Sequence, residues 1–199
     1  MKNTVCFREF EQRDVDAVYR WKNDEKLNRM VVGQFHAITR EDAQKWVEGC
    51  IGEHESYKFW AICTNDEDRR IVGWAALAKI DKINKSASTH SIVIADQDYN
   101  DGSAWLETVL FMFRYAFEVL MLNRLYGVSL VGHKQSNLVG ELMFMKTEGI
   151  LRQAEFKNGR FYDLQYDAIL KDEYFAHKEA GDYDMMAIIR RLRKLKKHE

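Results

Sequence analysis

The chain has 199 residues, 46% of them hydrophobic and 31% charged, with 30 Lys and Arg against 31 Asp and Glu for a formal charge of -1. That length suits one domain with a substantial core, and the charge balance argues against nucleic acid as a partner. No apolar stretch reaches membrane-spanning length and the first residues lack a secretory apolar segment, so the expectation is a cytoplasmic protein without stable membrane insertion.

Residues 5–10 read as a strand and 13–24 as a helix, with Val15, Val18, Tyr19 and the Lys22 stem inward and Trp21 and Asn23 near its end. A loop over 30–37 leads to Thr39-Arg40-Glu41-Asp42, a capping box with Asp in place of Glu. It opens a second helix striped by Ala43, Trp46, Val47, Cys50 and Ile51. Residues 57–64 and 70–80 form two β-rich runs around the polar turn 65–68, which predicts an antiparallel hairpin. Cys6, Cys50 and Cys63 are odd in number and far apart, which suggests core thiols and no metal site. With no proline anywhere, Gly and Asn/Asp clusters must mark the turns.

The run 89–95 is a short strand, followed by the polar loop 96–103. From Ala104 onward Trp105, Leu106, Val109, Leu110, Met112, Phe113, Ala116, Phe117 and Leu120 recur at helical spacing. This helix should begin near Gly102 or Ser103, where free N–H groups and the positive helix end attract anions, a pyrophosphate being the usual occupant. Any α/β domain contains strand, loop and helix, so the layout alone leaves a purely structural loop open. Residues 124–131 read as a strand and 136–146 as a helix. Residues 151–157 and 160–170 form a hairpin closed by Asn158-Gly159. Residues 184–197 form a basic amphipathic helix, whose apolar face suits docking on the domain or a homodimer contact better than an acidic partner or membrane surface. The domain division expected is 1–170 for the α/β body and 171–199 for a helical extension. The order predicts a mixed, mostly antiparallel sheet with helices on both faces, an α/β (α+β) fold.

Several stretches, in this order, resemble the GNAT superfamily of acetyl-CoA-dependent N-acetyltransferases. Tyr19-Arg20-Trp21-Lys22-Asn23-Asp24 resembles the first-helix pattern of the branch that includes ribosomal-protein N-terminal, spermidine and amino-sugar acetyltransferases. The turn from Ile80 to Ala87, Tyr115-Ala116-Phe117 with Leu122-Asn123-Arg124-Leu125, and Glu148-Gly149 through Asn158-Gly159 to Asp163 are similar to later parts of that branch. The resemblance implies a central sheet of about seven strands and acetyl-CoA as cosubstrate. The acceptor is a primary amine on an amino sugar, a peptide N-terminus or a small amine, which attacks directly in a ternary complex.

Site residues follow from the same resemblance. Val93, Ile94 and Ala95 would supply the backbone beside the pantetheine arm and thioester. Asn100, Asp101, Gly102, Ser103 and Ala104 would form the phosphate cradle, and Ser136 would reach the cofactor. The family's loop carries Gln or Arg, two spacers, Gly, one spacer, then Gly or Ala. Placing Glu107 on the Glu that often follows puts Asn100, Ser103 and Trp105 at the key positions, while Gly102 and Ser103 offer a shifted register. His90 lies near a Glu that acts as base in relatives, and its ordinary pKa suits that role. Tyr126 or His133 would return the proton, since Gly140 replaces the Tyr that serves many relatives as acid. Trp21, Asn23, Met30 and Trp60 would border the acceptor. A GNAT-fold module that has lost catalysis and binds a ligand or partner is the other reading.

Overall fold

Alternation along the strands sorts apolar side chains onto two faces, and helices cover both. The computed structural model describes residues 4–29 and 31–195. Its strands are β1 Val5–Arg8, β2 Tyr57–Thr64, β3 Ile71–Asp81, β4 Ser86–Ile94, β5 Arg124–Leu130, β6 Lys146–Lys157 and β7 Arg160–Leu170. They form one sheet in the order β1-β2-β3-β4-β5-β7-β6. All pairings are antiparallel except the central one, β4 with β5. The expected mixed, mostly antiparallel seven-stranded sheet is what the chain builds.

The helices are α1 Val15–Lys22, α2 Glu25–Asn28, α3 Arg40–Glu48, α4 Ser103–Arg114, α5 Lys134–Leu142, α6 Lys171–Glu179 and α7 Met185–Leu195. Trp60 and Ile62 of β2 join Leu77, Phe113, Phe117 and Leu125 in the core beneath α4. Their strand neighbours Ala61 and Cys63 join Val18, Val47 and Trp74 in a second core beneath α1 and α3. Burial pushes the thiols of Cys50 and Cys63 up to about 12, so both are inert core groups, as their spacing suggested. The Thr39 capping box forms as read, with the Thr39 hydroxyl accepting from Asp42 N at 3.1 Å and Asp42 Oδ2 from Thr39 N at 2.9 Å.

Some boundaries differ from expectation, and two helices were not expected at all. Helix α2 has only four residues, too few for a hydrophobic period, and is set by the Asp24 carboxylate accepting from Lys26 N at 2.9 Å and Leu27 N at 3.2 Å. Helix α5 starts two residues early because His133 caps it, and stops at Leu142 because Phe144 adopts a left-handed φ of 56°. Strand β6 begins at Lys146 rather than 151, since only Lys157 along it is buried and there is no alternation to read. Helix α6 went unread, yet its Tyr174 is buried against Phe117 at 4.6 Å between ring centroids.

The basic helix α7 docks. Ile188 is fully buried with Leu106 of α4 and Leu142 of α5, and Met185 and Leu192 pack on the same cluster. Phe144 is held between the His177 ring, stacked at 3.6 Å, and the Arg191 guanidinium at 4.3 Å. Arg191 Nη2 also donates to Leu142 O at 3.2 Å, closing the C-terminus of α5. The described basic residues Arg190, Arg193 and Lys194 stay exposed, while Lys196 and Lys197 lie outside the described residues. Ile188→Ala is expected to cost about 3 kcal/mol in denaturant unfolding, the usual loss for a truncated core Ile. A cost below about 0.5 kcal/mol, that of an ordinary surface substitution, would mean that α7 adds nothing to the fold.

Candidate active site

Strands β4 and β5 are paired only from Ser86 with Arg124 to Thr89 with Gly127. Beyond that point β4 continues to Ile94 on β3, and β5 continues to Leu130 on β7, so the sheet opens into a V. The opening starts at a β-bulge. Ala76 faces Ser91 and Leu77 faces Thr89, which leaves His90 as the extra residue. Gly127 stands at the vertex, where a Cβ would come to 3.0 Å from Thr89 Oγ1.

The backbone groups of alternate strand residues point to opposite neighbours. Ala95 N donates to Val72 O at 2.9 Å on the β3 side, and Val93 pairs in register with Trp74. The groups of Ile94, and of Ile92 two residues earlier, therefore face the opening. Of the three backbone positions expected to line it, Ile94 does so, whereas the N–H groups of Val93 and Ala95 are turned toward β3. Ile92 takes their place, a result the period of two could have given had the bulge been known.

The polar loop folds as a short 3₁₀ turn, Gln97–Tyr99, and then α4 begins. Asn100 N closes that turn on Gln97 O at 3.2 Å. Gly102 is the N-cap with φ +92°, where a Cβ would meet nothing within 4 Å, and Ala104 is fully buried. The two small residues sit one apart, the spacing of the family's Gly and Gly-or-Ala. This spacing offers a shifted register on Gly102 and Ala104, where the sequence offered Gly102 and Ser103. Trp105 turns away into the α4–α5–α7 cluster, and Glu107 is occupied by Thr4 N at 3.0 Å and Val5 N at 3.2 Å.

The first turn of α4 has N–H groups without intrahelical partners, the kind of group that can receive an anion. One is already taken: Asp101 Oδ1 accepts from Ser103 N at 2.8 Å and Ser103 Oγ at 2.6 Å. Those bonds hold the Asp101 carboxyl below its usual range. The Asp101 carboxylate thus sets a negative charge at this helix entry, with which an anion there would have to compete. Asp101→Asn keeps a capping oxygen and removes the charge, so acetyl-CoA is expected to bind about three- to tenfold tighter, the scale of one helix-end charge. Unchanged affinity in calorimetry would place the diphosphate elsewhere.

His90 is exposed. Ser88 alternates with Ala87 of the α4 core and so lies on the α1–α3 face, Tyr126 faces Ser88 across the β4–β5 pairing, and His90 follows at the bulge, where the alternation is broken. Burial of part of the ring, and then the positive charges of Lys22 and Lys79, push the His90 pKa below its ordinary value. The imidazole is accordingly neutral at pH 7. His133 caps α5, its Nδ1 accepting from Ser136 N at 3.2 Å, and burial lowers its pKa too. An imidazole whose Nδ1 accepts that capping bond is a poor source of a proton. Ser136 is half-buried on the first turn of α5.

The acceptor-side residues fall into three groups. Trp21 is half-buried beside an open cleft of about 680 Å³, shared with Ala17, Arg20, Ala95, Asp96 and Asp98. Asn23 is a bracket: its amide donates to Ile38 O at 3.1 Å and accepts from Ile38 N at 2.9 Å, pinning the 31–38 loop to α1. Trp60 is 5% exposed and packs edge-on to Tyr115 at 4.8 Å. Alternation sends Trp60 to the α4 face, so it is core and does not border the acceptor. Met30 lies outside the described residues. What the sequence reading missed is Lys157 at the β6–β7 tip, 2% exposed, whose Nζ donates to Val31 O at 2.8 Å and Gly33 O at 2.6 Å. No local pattern signals a lysine buried 124 residues from its acceptor.

Residues 4–142 match the model of the acetyltransferase (GNAT) domain. YdaF of Bacillus subtilis (strain 168), provisionally named a ribosomal N-acetyltransferase, is 28% identical over 111 residues. That match spans 56% of this chain and 60% of YdaF. The spermidine N-acetyltransferase from Vibrio cholerae, crystallised with CoA and spermine, is similar with a TM-score of 0.74 at 20% identity, over 86% of this chain and 98% of that one. A GNAT-family acetyltransferase from Bacillus anthracis gives a TM-score of 0.71 at 22% identity, over 85% and 96% of the two chains. Among the described residues no helix is long and apolar enough to cross a membrane. With its open β4–β5 V, its Gly102–Ala104 helix entry and a domain match covering most of its length, the chain belongs to the GNAT acetyltransferase family.

Proposed function

We propose that the protein transfers an acetyl group from acetyl-CoA to a primary amine by direct attack within a ternary complex. The observation that carries this reading is the stretch of β4 beyond Thr89 that pairs with β3 but no longer with β5, beside the histidine at the bulge. When bound, acetyl-CoA supplies an activated thioester carbonyl. The chain's own groups do the rest. The gap-facing backbone of Ile92 and Ile94 aligns an extended arm, as a missing strand would. The cradle amides at Ala104 and Trp105 hold the diphosphate. His90 takes the proton of the incoming ammonium, for which a neutral imidazole is required. Tyr126, opposite Ser88 in the β4–β5 pairing, is the proposed group that returns a proton to the departing thiolate. The buried thiols Cys50 and Cys63 are not available as nucleophiles, which supports direct transfer. The names of YdaF and the Vibrio enzyme support an amine acceptor, on a peptide or a small molecule.

Titration calorimetry with acetyl-CoA followed by release of CoA in the presence of amines tests this. Binding in the micromolar range is expected, and absence of heat up to about 0.5 mM, an affinity too weak for use, ends the reading. The competing module without catalysis is favoured by Asp101 at the cradle and by Gly140, and would show binding with no turnover on any amine.

A further inference from the structure

The loop 31–38 encloses a second, smaller cavity of about 140 Å³ with Lys22 of α1 and Lys157 of the β6–β7 tip, room for a group several waters in size. The charges on its wall are one-sided. Lys157 is 2% exposed and spends two donors on the carbonyls of Val31 and Gly33, which leaves one of its three N–H groups. Lys22 Nζ lies 4.1 Å over the Trp46 ring and 6.0 Å from the Trp74 ring. Among the described residues no carboxylate lies within ion-pair distance of either lysine. Of the acids two residues away in the chain, Glu155 accepts from Gly33 N at 2.9 Å, and Asp24 caps α2 by accepting from Lys26 N at 2.9 Å and Leu27 N at 3.2 Å. His36 completes the wall.

The cavity is tied to the reaction centre. Trp74 pairs in register with Val93 of β4, and the Lys22 charge is felt by His90. Desolvation lowers the Lys22 pKa, a penalty that an anion seated beside it relieves. Resting on the transferase reading, we propose that this cavity is an anion subsite, and that the acceptor is an amine carrying a phosphate or carboxylate that Lys22 and Lys157 hold while the amine reaches His90. A polyamine would bring further positive charge against the two ammonium groups, so this chain departs from the spermidine enzyme it resembles in fold.

The test compares acceptors differing only in an anionic group: glucosamine 6-phosphate with glucosamine, and diglycine with diglycine amide, with spermidine as the polycation. The charged member of at least one pair is expected to show about tenfold higher kcat/KM, with spermidine poorest, in line with a charge-assisted contact. The pair that responds tells phosphate from carboxylate. Lys22→Met is expected to erase the preference through KM, about tenfold, with kcat moved less than about threefold, and Lys22→Arg to keep it. Equal or better use of neutral amines or spermidine, or a preference surviving Lys22→Met, overturns the proposal. Failure to bind acetyl-CoA sinks the transferase reading separately. The subsite is then judged by calorimetry of glucosamine 6-phosphate and diglycine on wild type and Lys22→Met, where heat is expected from the wild type alone, and its absence from both proteins rejects the subsite.

Discussion

His90→Ala is expected to lower kcat about 10²- to 10⁴-fold at pH 7, the range spanned by removal of a positioned general base, while acetyl-CoA binding stays within about threefold of wild type. His90 stands at the bulge where β4 leaves β5, and its side chain is not part of either core, so the loss should appear in turnover and not in folding. The pH profile gives the sign. Burial and the neighbouring Lys22 and Lys79 lower the pKa, so the protonated, inactive form gathers only below the ordinary histidine value of about 6.5. The acid limb of kcat/KM is therefore expected below that pH. Lys79→Gln removes a cation, favours the protonated imidazole, and should move the limb upward. A limb that ignores Lys79→Gln, or a His90→Ala variant within about threefold of wild-type kcat, takes the base role away from His90.

Gly73→Ala is expected to damage the sheet out of proportion to one methyl group. A Cβ at Gly73 would fall 2.0 Å from Val93 O and 3.1 Å from Ile94 Cα, both backbone atoms of β4. Neither can rotate away, so β4 must shift just where it borders the opening. A cost of about 3 kcal/mol or more in thermal or denaturant unfolding is expected, at the upper end for overpacking. Weakened acetyl-CoA binding should accompany it in the fraction that folds. Gly127→Ala gives a contrast: its Cβ meets a side-chain hydroxyl, Thr89 Oγ1, at 3.0 Å, which can yield by rotating. If Gly73→Ala melts with wild type, the crowding at β4 is not a constraint on the fold.

Much of this site was legible residue by residue. The capping box at Thr39, the hairpin turn at Asn158-Gly159 and the helix beginning at Gly102 are local features, fixed by side chains within four residues of the backbone groups they serve. His90 could be chosen because a resemblance pointed to its strand. Its bulge could not, since the extra residue is defined only against Ala76 and Leu77 on another strand. The same holds for Trp60, which has the chemistry of a binding residue and the strand parity of a core one, and for His133, whose Nδ1 is spent on the helix it opens.

The sequence by itself determined the succession of seven strands, the two-faced sheet and the family likeness, because hydrophobic period, capping and turn chemistry act over a few neighbouring residues. Only the tertiary structure decided which strand amides face the opening and that Lys22 and Lys157 line one cavity from distant parts of the chain. Those outcomes depend on register and on contacts separated by a hundred residues or more. No window along the chain holds both partners of such a contact, and burial, which sets the charge and competence of each group, exists only once they meet.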